Sequence, residues 1–350
     1  MTNASNLLIR ADSDAKIGTG HIMRCIALAE EWQAQGGHVT FLSHCKSKQL
    51  RQRLVSSGFS VIDLKSSHPD SGDIDNTLSC IQSMTDPWLI LDGYHFDGAY
   101  QQTIREAPCQ VLVVDDYAHQ TEYHADLILN QNINGSRMRY SADIDTEFLM
   151  GPEYVLLRSQ FLPFRNRDRQ IAVHVSRILV TMGGADPDNV TVLVIEALQQ
   201  VQIPNLEIRV VVGPANHNME SVHQAAKKSP RKIKVLHDVT NMLDLMAWAD
   251  LAVAGGGTTW SELAFMGLPS LLLVLADNQV DVATGMTNSG ASINLGEAAK
   301  ASAHQITESI ESLSADSKLR LSMSENARQL VDGIGVERVI KAIGLQRQVV

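Results

Sequence analysis

"LLIRADSDAKIGTGHIMR" (residues 7–24) reads as a buried strand, a turn with two glycines, and the opening of a helix. Apolar residues fill the strand without alternation, as expected of a parallel strand covered on both faces. Gly18 and Gly20 permit positive φ and let a ligand come close to the backbone. The first N–H groups of the following helix lack intrahelical partners and favour an anion. A strand feeding a helix through such a turn is the first step of a βαβ sheet.

The rest of the chain repeats that step. A helical stretch runs from His21 to about Gln35, and "HVTFLSH" reads as a second strand. "WLILDGY", "QVLVVDD" and "ADLILN" follow as further short apolar runs. The charged stretch "RNRDRQ" (165–170) breaks the pattern and is the expected linker. After it the rhythm restarts with "RILVTMGG", "LEIRVVVG", "IKVLHDV", "DLAVAGGG" and "PSLLLVLA", and from Ser302 onward only helices are expected. The expected fold class is α/β, with two doubly wound Rossmann-like domains facing a cleft. Their expected bounds are 1–166, carrying the first glycine turn, and 167–350. In such sheets ligands bind outside the carboxyl ends of the strands, so the loops that follow strands are where chemistry is sought.

Bulk composition narrows the function. The chain has 350 residues, 44% of them apolar and 19% charged, in the range of a folded globular protein. A net charge of −10 argues against nucleic acid or an anionic membrane as the main partner. Cys25, Cys45, Cys80 and Cys109 show no CxxC spacing and read as thiols in a reducing compartment. The first residues lack a basic segment followed by an apolar one, and "PSLLLVLA" is too short to span a bilayer. The expectation is a cytoplasmic protein, monomeric by default, with no membrane and no nucleic-acid partner.

Two loops carry the chemistry. In the first, His21 stands at a helix start, where the positive end of the dipole disfavours imidazolium and keeps the ring able to accept a proton. Arg24 lies one turn on, on the same face, placed to hold a phosphate or sugar oxygen. The alternative is a histidine that only caps the helix beside an arginine pointing to water. Arg10 and Asp12 share one strand face and are read first as a structural ion pair. In the second half, "LVTMGGADPDN" brings Gly183 and Gly184 to a strand end, with Asp186 or Asp188 capping the next helix. "DLAVAGGGTTWSELAFMG" places Gly257, Thr258 and Thr259 at a helix start and Glu262 in its first turn. Hydroxyls and unpaired N–H groups suit a diphosphate, and a carboxylate accepts both hydroxyls of a ribose. The alternative makes Glu262 a capping-box residue paired with Thr259 or Thr258. Asn278 and Gln279 follow the next strand, while His217 reads as surface. GxGxxG and GxxxxGK[ST] are both absent, which argues against dinucleotide and P-loop ATPase readings. "DDYAHQTEYH" lacks convincing metal spacing, so no metal and no cofactor are expected.

With these residues in hand, the chain resembles the UDP-2,4-diacetamido-2,4,6-trideoxy-β-L-altropyranose hydrolases of pseudaminic acid biosynthesis. The likeness is carried by "RADSDAKIGTGHIMRC", "VLVVDDYAHQTEYHADLILNQN", "GPEYVLLRSQF", "VTMGGADPDN" and "GGGTTWSELAFMGLP". "GGGTTWSE" alone is shared with two-domain glycosyltransferases. The resemblance implies a glycosyltransferase-B-like fold with UDP held mainly by the C-terminal domain. It also implies metal-independent, inverting hydrolysis at the anomeric carbon, in a pathway that feeds flagellin glycosylation. On it, His21 matches the catalytic base and Glu262 the ribose-binding carboxylate, while Arg158 and Asn278 fall where substrate contacts are expected. The rivals are a UDP-sugar-dependent transferase, a UDP-N-acetylglucosamine 2-epimerase of the same fold, and a non-catalytic nucleotide-sugar binding module.

Overall fold

The computed structural model describes residues 5–14, 17–237, 239 and 241–346. The chain forms two compact units, one of Met1–Ser159 with Gly333–Val350 and one of Gln160–Asp332.

In the first unit the strands are β1 (Asn6–Ala11), β2 (His38–Ser43), β3 (Ser60–Asp63), β4 (Trp88–Asp92), β5 (Gln110–Val114), β6 (Leu127–Asn130) and β7 (Glu147–Met150). They form one sheet in the order β3-β2-β1-β4-β5-β6-β7, and every adjacent pair is parallel. The helices between them are α1 (Gly20–Ala34), α2 (Lys48–Ser56), α3 (Ser71–Gln82) and α4 (Gly98–Arg105). Leu7 and Ile9 pack with Ile22, Ile26 and Ala29 of α1 on one face of the sheet, while Leu8 packs with Leu89, Leu91 and Tyr100 on the other. Burial on both faces is why the run reads as continuously apolar.

The second unit holds β8 (Arg177–Thr181), β9 (Glu207–Val212), β10 (Lys232–His237), β11 (Leu251–Gly255), β12 (Ser270–Val274) and β13 (Ile293–Glu297). These also lie parallel, in the order β10-β9-β8-β11-β12-β13. Around them are α5 (Val190–Gln200), α6 (Met219–Lys228), α7 (Met242–Trp248), α8 (Thr259–Phe265), α9 (Val280–Asn288), α10 (Ala303–Ala315) and α11 (Ser317–Leu330). The chain order reverses between β1 and β4 in the first sheet and between β8 and β11 in the second. Those reversals are the points at which doubly wound sheets open a crevice for ligand.

Two expectations about the domains give way. The stretch expected as a linker is tied to the second unit, which begins at Gln160. Arg169 is partly buried there and donates to the carbonyls of Met246 (3.1 Å) and Met266 (3.3 Å). The second domain also does not run to residue 350. A last helix, α12 (Gly335–Gln346), belongs to the first unit, where Val336, Val339, Ile340 and Ile343 join the core beside α1. Burying those four apolar side chains against α1 is what ties the last helix to the first unit.

Candidate active site

β1 ends at Ala11, and the loop beyond it is closed by its own hydrogen bonds. Ser13 Oγ donates to the Gly18 carbonyl at 2.7 Å, and the Ile17 N–H donates to Asp14 Oδ1 at 2.8 Å. Gly18 takes φ +76°, a left-handed value that a side chain would oppose. Gly20 then opens α1. Thr19, before it, makes no side-chain capping bond, and no acidic residue stands in the first turn. His21 is the second residue of this helix and is almost wholly buried, with 8% exposure.

Its partner comes from the neighbouring strand. Ala11 and Asp92 lie opposite each other in the β1–β4 pairing, which puts the last side chain of β4 under the start of α1. Asp92 is fully buried, and its Oδ1 lies 2.6 Å from His21 Nδ1. Arg24 grips the same carboxylate in a fork, from Nε to Oδ2 and from Nη2 to Oδ1, both at 2.7 Å. The Cys25 thiol donates to Oδ2 at 3.3 Å. Burial pushes the Asp92 carboxyl up, but Arg24 and His21 outweigh it and hold the group well below the usual carboxylate range. An ionised carboxylate only accepts, so Nδ1 of His21 carries the proton of that bond. Nε2 is then the nitrogen with the open lone pair when the ring is neutral.

A second carboxylate completes the cluster. Asp116, just past β5, accepts from Arg24 Nη1 at 2.8 and 3.0 Å, from the Tyr94 hydroxyl at 2.5 Å and from Asn132 Nδ2 at 2.9 Å. Burial opposes its ionisation, yet Arg24 and Tyr94 keep its carboxyl below the ordinary range. The Tyr94 ring stands edge-on to His21, centroids 4.9 Å apart. The expectation that Arg24 holds a substrate oxygen is therefore corrected. Its side chain is 3% exposed and its fork is occupied by Asp92 and Asp116, so it positions the histidine and its carboxylate. The helix dipole is also not the main electrostatic influence on His21, because an anion touches the ring directly.

Arg10 and Asp12 form the expected buried ion pair, at 2.5 and 2.8 Å. Asp73 of α3 joins them, bonded to Arg10 Nε at 3.2 Å and to the Tyr100 hydroxyl at 2.8 Å. Asp115, His119 and His124 of "DDYAHQTEYH" also bond within the fold. Asp115 accepts from Tyr140 (2.8 Å), from Tyr123 (3.0 Å) and from the N–H groups of Tyr117 and Ala118. Its Oδ1 lies 2.8 Å from His119 Nδ1. His124 Nδ1 pairs with Asp143 at 2.9 Å. Arg158 is buried near the end of the first unit's main segment.

In the second unit the expected residues gather at the carboxyl ends of β8, β11 and β12. Gly183 takes φ +78° and Gly184 follows. Asp186 caps α5, accepting from Val190 N (2.8 Å), Thr191 N (3.0 Å) and Thr191 Oγ1 (2.6 Å). The turn after β9 presses against this loop, for a Cβ on Gly213 would stand 2.5 Å from the Gly183 carbonyl oxygen. After β11, Gly257 and Thr259 are half-buried and Thr258 is exposed. Thr258, the residue before α8, makes no side-chain capping bond. Glu262 is half-buried in the first turn. Asn278 is exposed, as is His217. Gln279 departs from expectation. Its Oε1 accepts from the Leu275 N–H at 3.0 Å and its amide packs on Gly256 and Gly257, so it braces the glycine loop.

The two-domain α/β architecture is that of the glycosyltransferase-B fold. MurG of Acinetobacter baumannii superposes with a TM-score of 0.67 over 97% of this chain and 99% of its own, at 16% identity. Residues 177–337 match the glycosyltransferase family 28 C-terminal domain. Over longer stretches the chain is similar to the spore coat polysaccharide biosynthesis protein SpsG of Bacillus subtilis, 26% identical across 95% of both chains. It is also 26% identical to a protein of Methanocaldococcus jannaschii across 76% of this chain, a match spanning only 55% of that relative. The resemblance read from the motifs appears here as well. The UDP-2,4-diacetamido-2,4,6-trideoxy-beta-L-altropyranose hydrolase of Campylobacter jejuni is 23% identical over 81% of this chain and 97% of its own. Among the described residues no helix is long and apolar enough to cross a membrane.

Proposed function

We propose that the chain hydrolyses a UDP-sugar, UDP-2,4-diacetamido-2,4,6-trideoxy-β-L-altropyranose, at the anomeric carbon with inversion. The products are UDP and the free diacetamido sugar, a precursor for pseudaminic acid. The observation that carries this reading is the buried Asp92–His21 pair, because it leaves one imidazole nitrogen to act as a base.

His21 Nε2 takes a proton from water as the water oxygen bonds to the anomeric carbon. The bond from that carbon to the UDP oxygen breaks, and its electron pair leaves with UDP. Glycosidases that expel an alcohol need a second carboxyl group to protonate it. UDP departs as a stable anion, so charge stabilisation replaces that proton. Asp92 accepts from Nδ1 throughout and stabilises the imidazolium as it forms, as the aspartate of a catalytic triad does. Arg24 and Asp116 hold Asp92 and Tyr94 in register. Gly183, Gly184, Gly257, Thr258 and Thr259 receive the diphosphate, and Glu262 the ribose.

The test is incubation with a panel of UDP-sugars and no acceptor, following UDP release and reading the anomer first formed by NMR. Prompt release with the inverted anomer from the diacetamido substrate supports the reading. A UDP-linked product of altered configuration would mark an epimerase. UDP release that waits for an added acceptor alcohol would mark a transferase. His21→Asn is expected to abolish turnover and keep UDP binding.

A further inference from the structure

The first sheet carries a second histidine–aspartate pair beside the first. His95 Nε2 lies 2.9 Å from Asp12 Oδ2. Asp12 is buried, is gripped by Arg10, and accepts the His44 N–H at 2.7 Å. Burial opposes its charge, but His95 and Arg10 outweigh that and hold its carboxyl well below the usual range. As an anion Asp12 only accepts, so Nε2 of His95 carries the proton of that bond, and Nδ1 has the lone pair when the ring is neutral. This is the reverse of the tautomer that Asp92 imposes on His21.

The two pairs are next-door neighbours. Asp12 directly follows Ala11, and Ala11 stands opposite Asp92 across β1 and β4. The His95 ring folds over Gly93, the residue after Asp92. A Cβ there would lie 2.6 Å from its Cε1 and 3.0 Å from its Nδ1. Phe96 packs on the ring, centroids 4.1 Å apart. Tyr94, between them in sequence, lies against His21. A histidine of this unit can be held through both nitrogens. His119 is held so, with Nδ1 on Asp115 at 2.8 Å and Nε2 on the Tyr94 carbonyl at 3.0 Å. His95 uses one. Among the described residues its Nδ1 has no partner, and its side chain is 21% exposed.

We propose that His95 is a further substrate-contacting residue, its Nδ1 accepting an N–H or O–H of the sugar moiety while Asp12 fixes the ring. The inference rests on the nucleotide-sugar reading above. Acetamido N–H groups and ring hydroxyls are the donors such a substrate offers, and a pre-oriented acceptor discriminates among them.

Two substitutions divide the ring's functions. His95→Gln puts an amide N–H near the Nε2 position, keeping the bond to Asp12 and losing the acceptor. His95→Asn keeps an amide oxygen near the Nδ1 position and loses the bond to Asp12. Affinities for UDP and for UDP-2,4-diacetamido-2,4,6-trideoxy-β-L-altropyranose are measured by calorimetry in a His21→Asn background, where the sugar nucleotide is not consumed. His95→Gln is expected to weaken the sugar nucleotide about tenfold and leave UDP unchanged. His95→Asn is expected to stay within about threefold of the parent for both ligands, with a lower melting temperature. Equal losses for UDP and the sugar nucleotide in both variants would mark a structural role and overturn the inference. So would an undiminished sugar-nucleotide affinity in His95→Gln. A parent protein that binds UDP but not the sugar nucleotide overturns the functional reading itself and this inference with it. That result is visible before any His95 variant is made.

Discussion

Replacing Asp92 by Asn tests the proposed mechanism at its centre, since it keeps the shape of the side chain and removes its charge. A 2.6 Å contact between Nδ1 and Oδ1 puts the two charge centres about 4 Å apart once the ring is protonated. At an effective dielectric of about 20, that attraction is worth about 4 kcal/mol. At about 1.4 kcal/mol per tenfold, its loss slows the proton-transfer step by about 10³-fold. Two further effects act in the same direction. The Asn amide can donate to Nδ1 and so favour the wrong tautomer, a change that costs a serine protease about 10⁴-fold. Arg24, whose Nη2 lies 3.3 Å from Nδ1, then meets the imidazolium with less negative charge to offset it. The expected result is a kcat about 10³- to 10⁴-fold below the parent by continuous UDP-release assay. UDP affinity by calorimetry should be unchanged. Because Arg24 keeps Asp116, folding stability should fall by only about 2–3 kcal/mol, below the usual cost of breaking a buried pair. A folded variant with kcat within tenfold of the parent would refute the role of Asp92. A proportional loss of UDP binding would show that the substitution damages more than proton transfer.

Other consequences are open to test. On the proposed ribose role, Glu262→Ala should weaken UDP about ten- to a hundredfold by calorimetry. Unchanged affinity would remove the ribose role. Gly213→Ala should destabilise the second unit by about 1–3 kcal/mol in denaturant unfolding, since its Cβ would press on the backbone of Gly183 and Gly184. The carboxyls of Asp12, Asp92, Asp116 and Asp250 are all held below their ordinary values. Their stabilisation is therefore complete above the unfolded value of about 4 and is lost as the pH falls through the lower folded values. Melting temperatures by calorimetry should be nearly level from about pH 7 to 5 on this account, then drop steeply below about pH 4.

The strands that escape a sequence reading share a position. β3, β7 and β13 lie at sheet edges, and their residues are largely exposed or half-buried. A strand between two others under helices shows an unbroken apolar run, whereas an edge strand of four or five residues has no such need. β10, also an edge strand, is legible because isoleucine and valine alternate with lysines and a leucine follows along "KIKVLH". The helical end of the chain is legible as helices, but not its return to the first unit. Its apolar face would suit either core, and only packing against α1 decides between them.

The candidate site was legible where it depends on local geometry and hidden where it depends on pairing across strands. Gly18, Gly20 and His21 stand out because a turn and a helix start are built within a few residues. Asp92 and His21 are 71 positions apart, and nothing in "WLILDGYH" marks its aspartate as more than the polar end of a strand. Yet the reversal of strand order brings β4 beside β1, so the residue ending each strand faces the loop that follows the other. Both β1 and β4 run into an aspartate, Asp12 and Asp92. In a low-dielectric setting between two helix layers, such a charge persists only with a partner. Each aspartate has found one arginine and one histidine: Arg10 and His95 for Asp12, Arg24 and His21 for Asp92. An acid closing each of two adjacent central strands is thus a usable signal. It asks for a cation to neutralise the carboxylate, and it leaves a lone pair that can orient an imidazole.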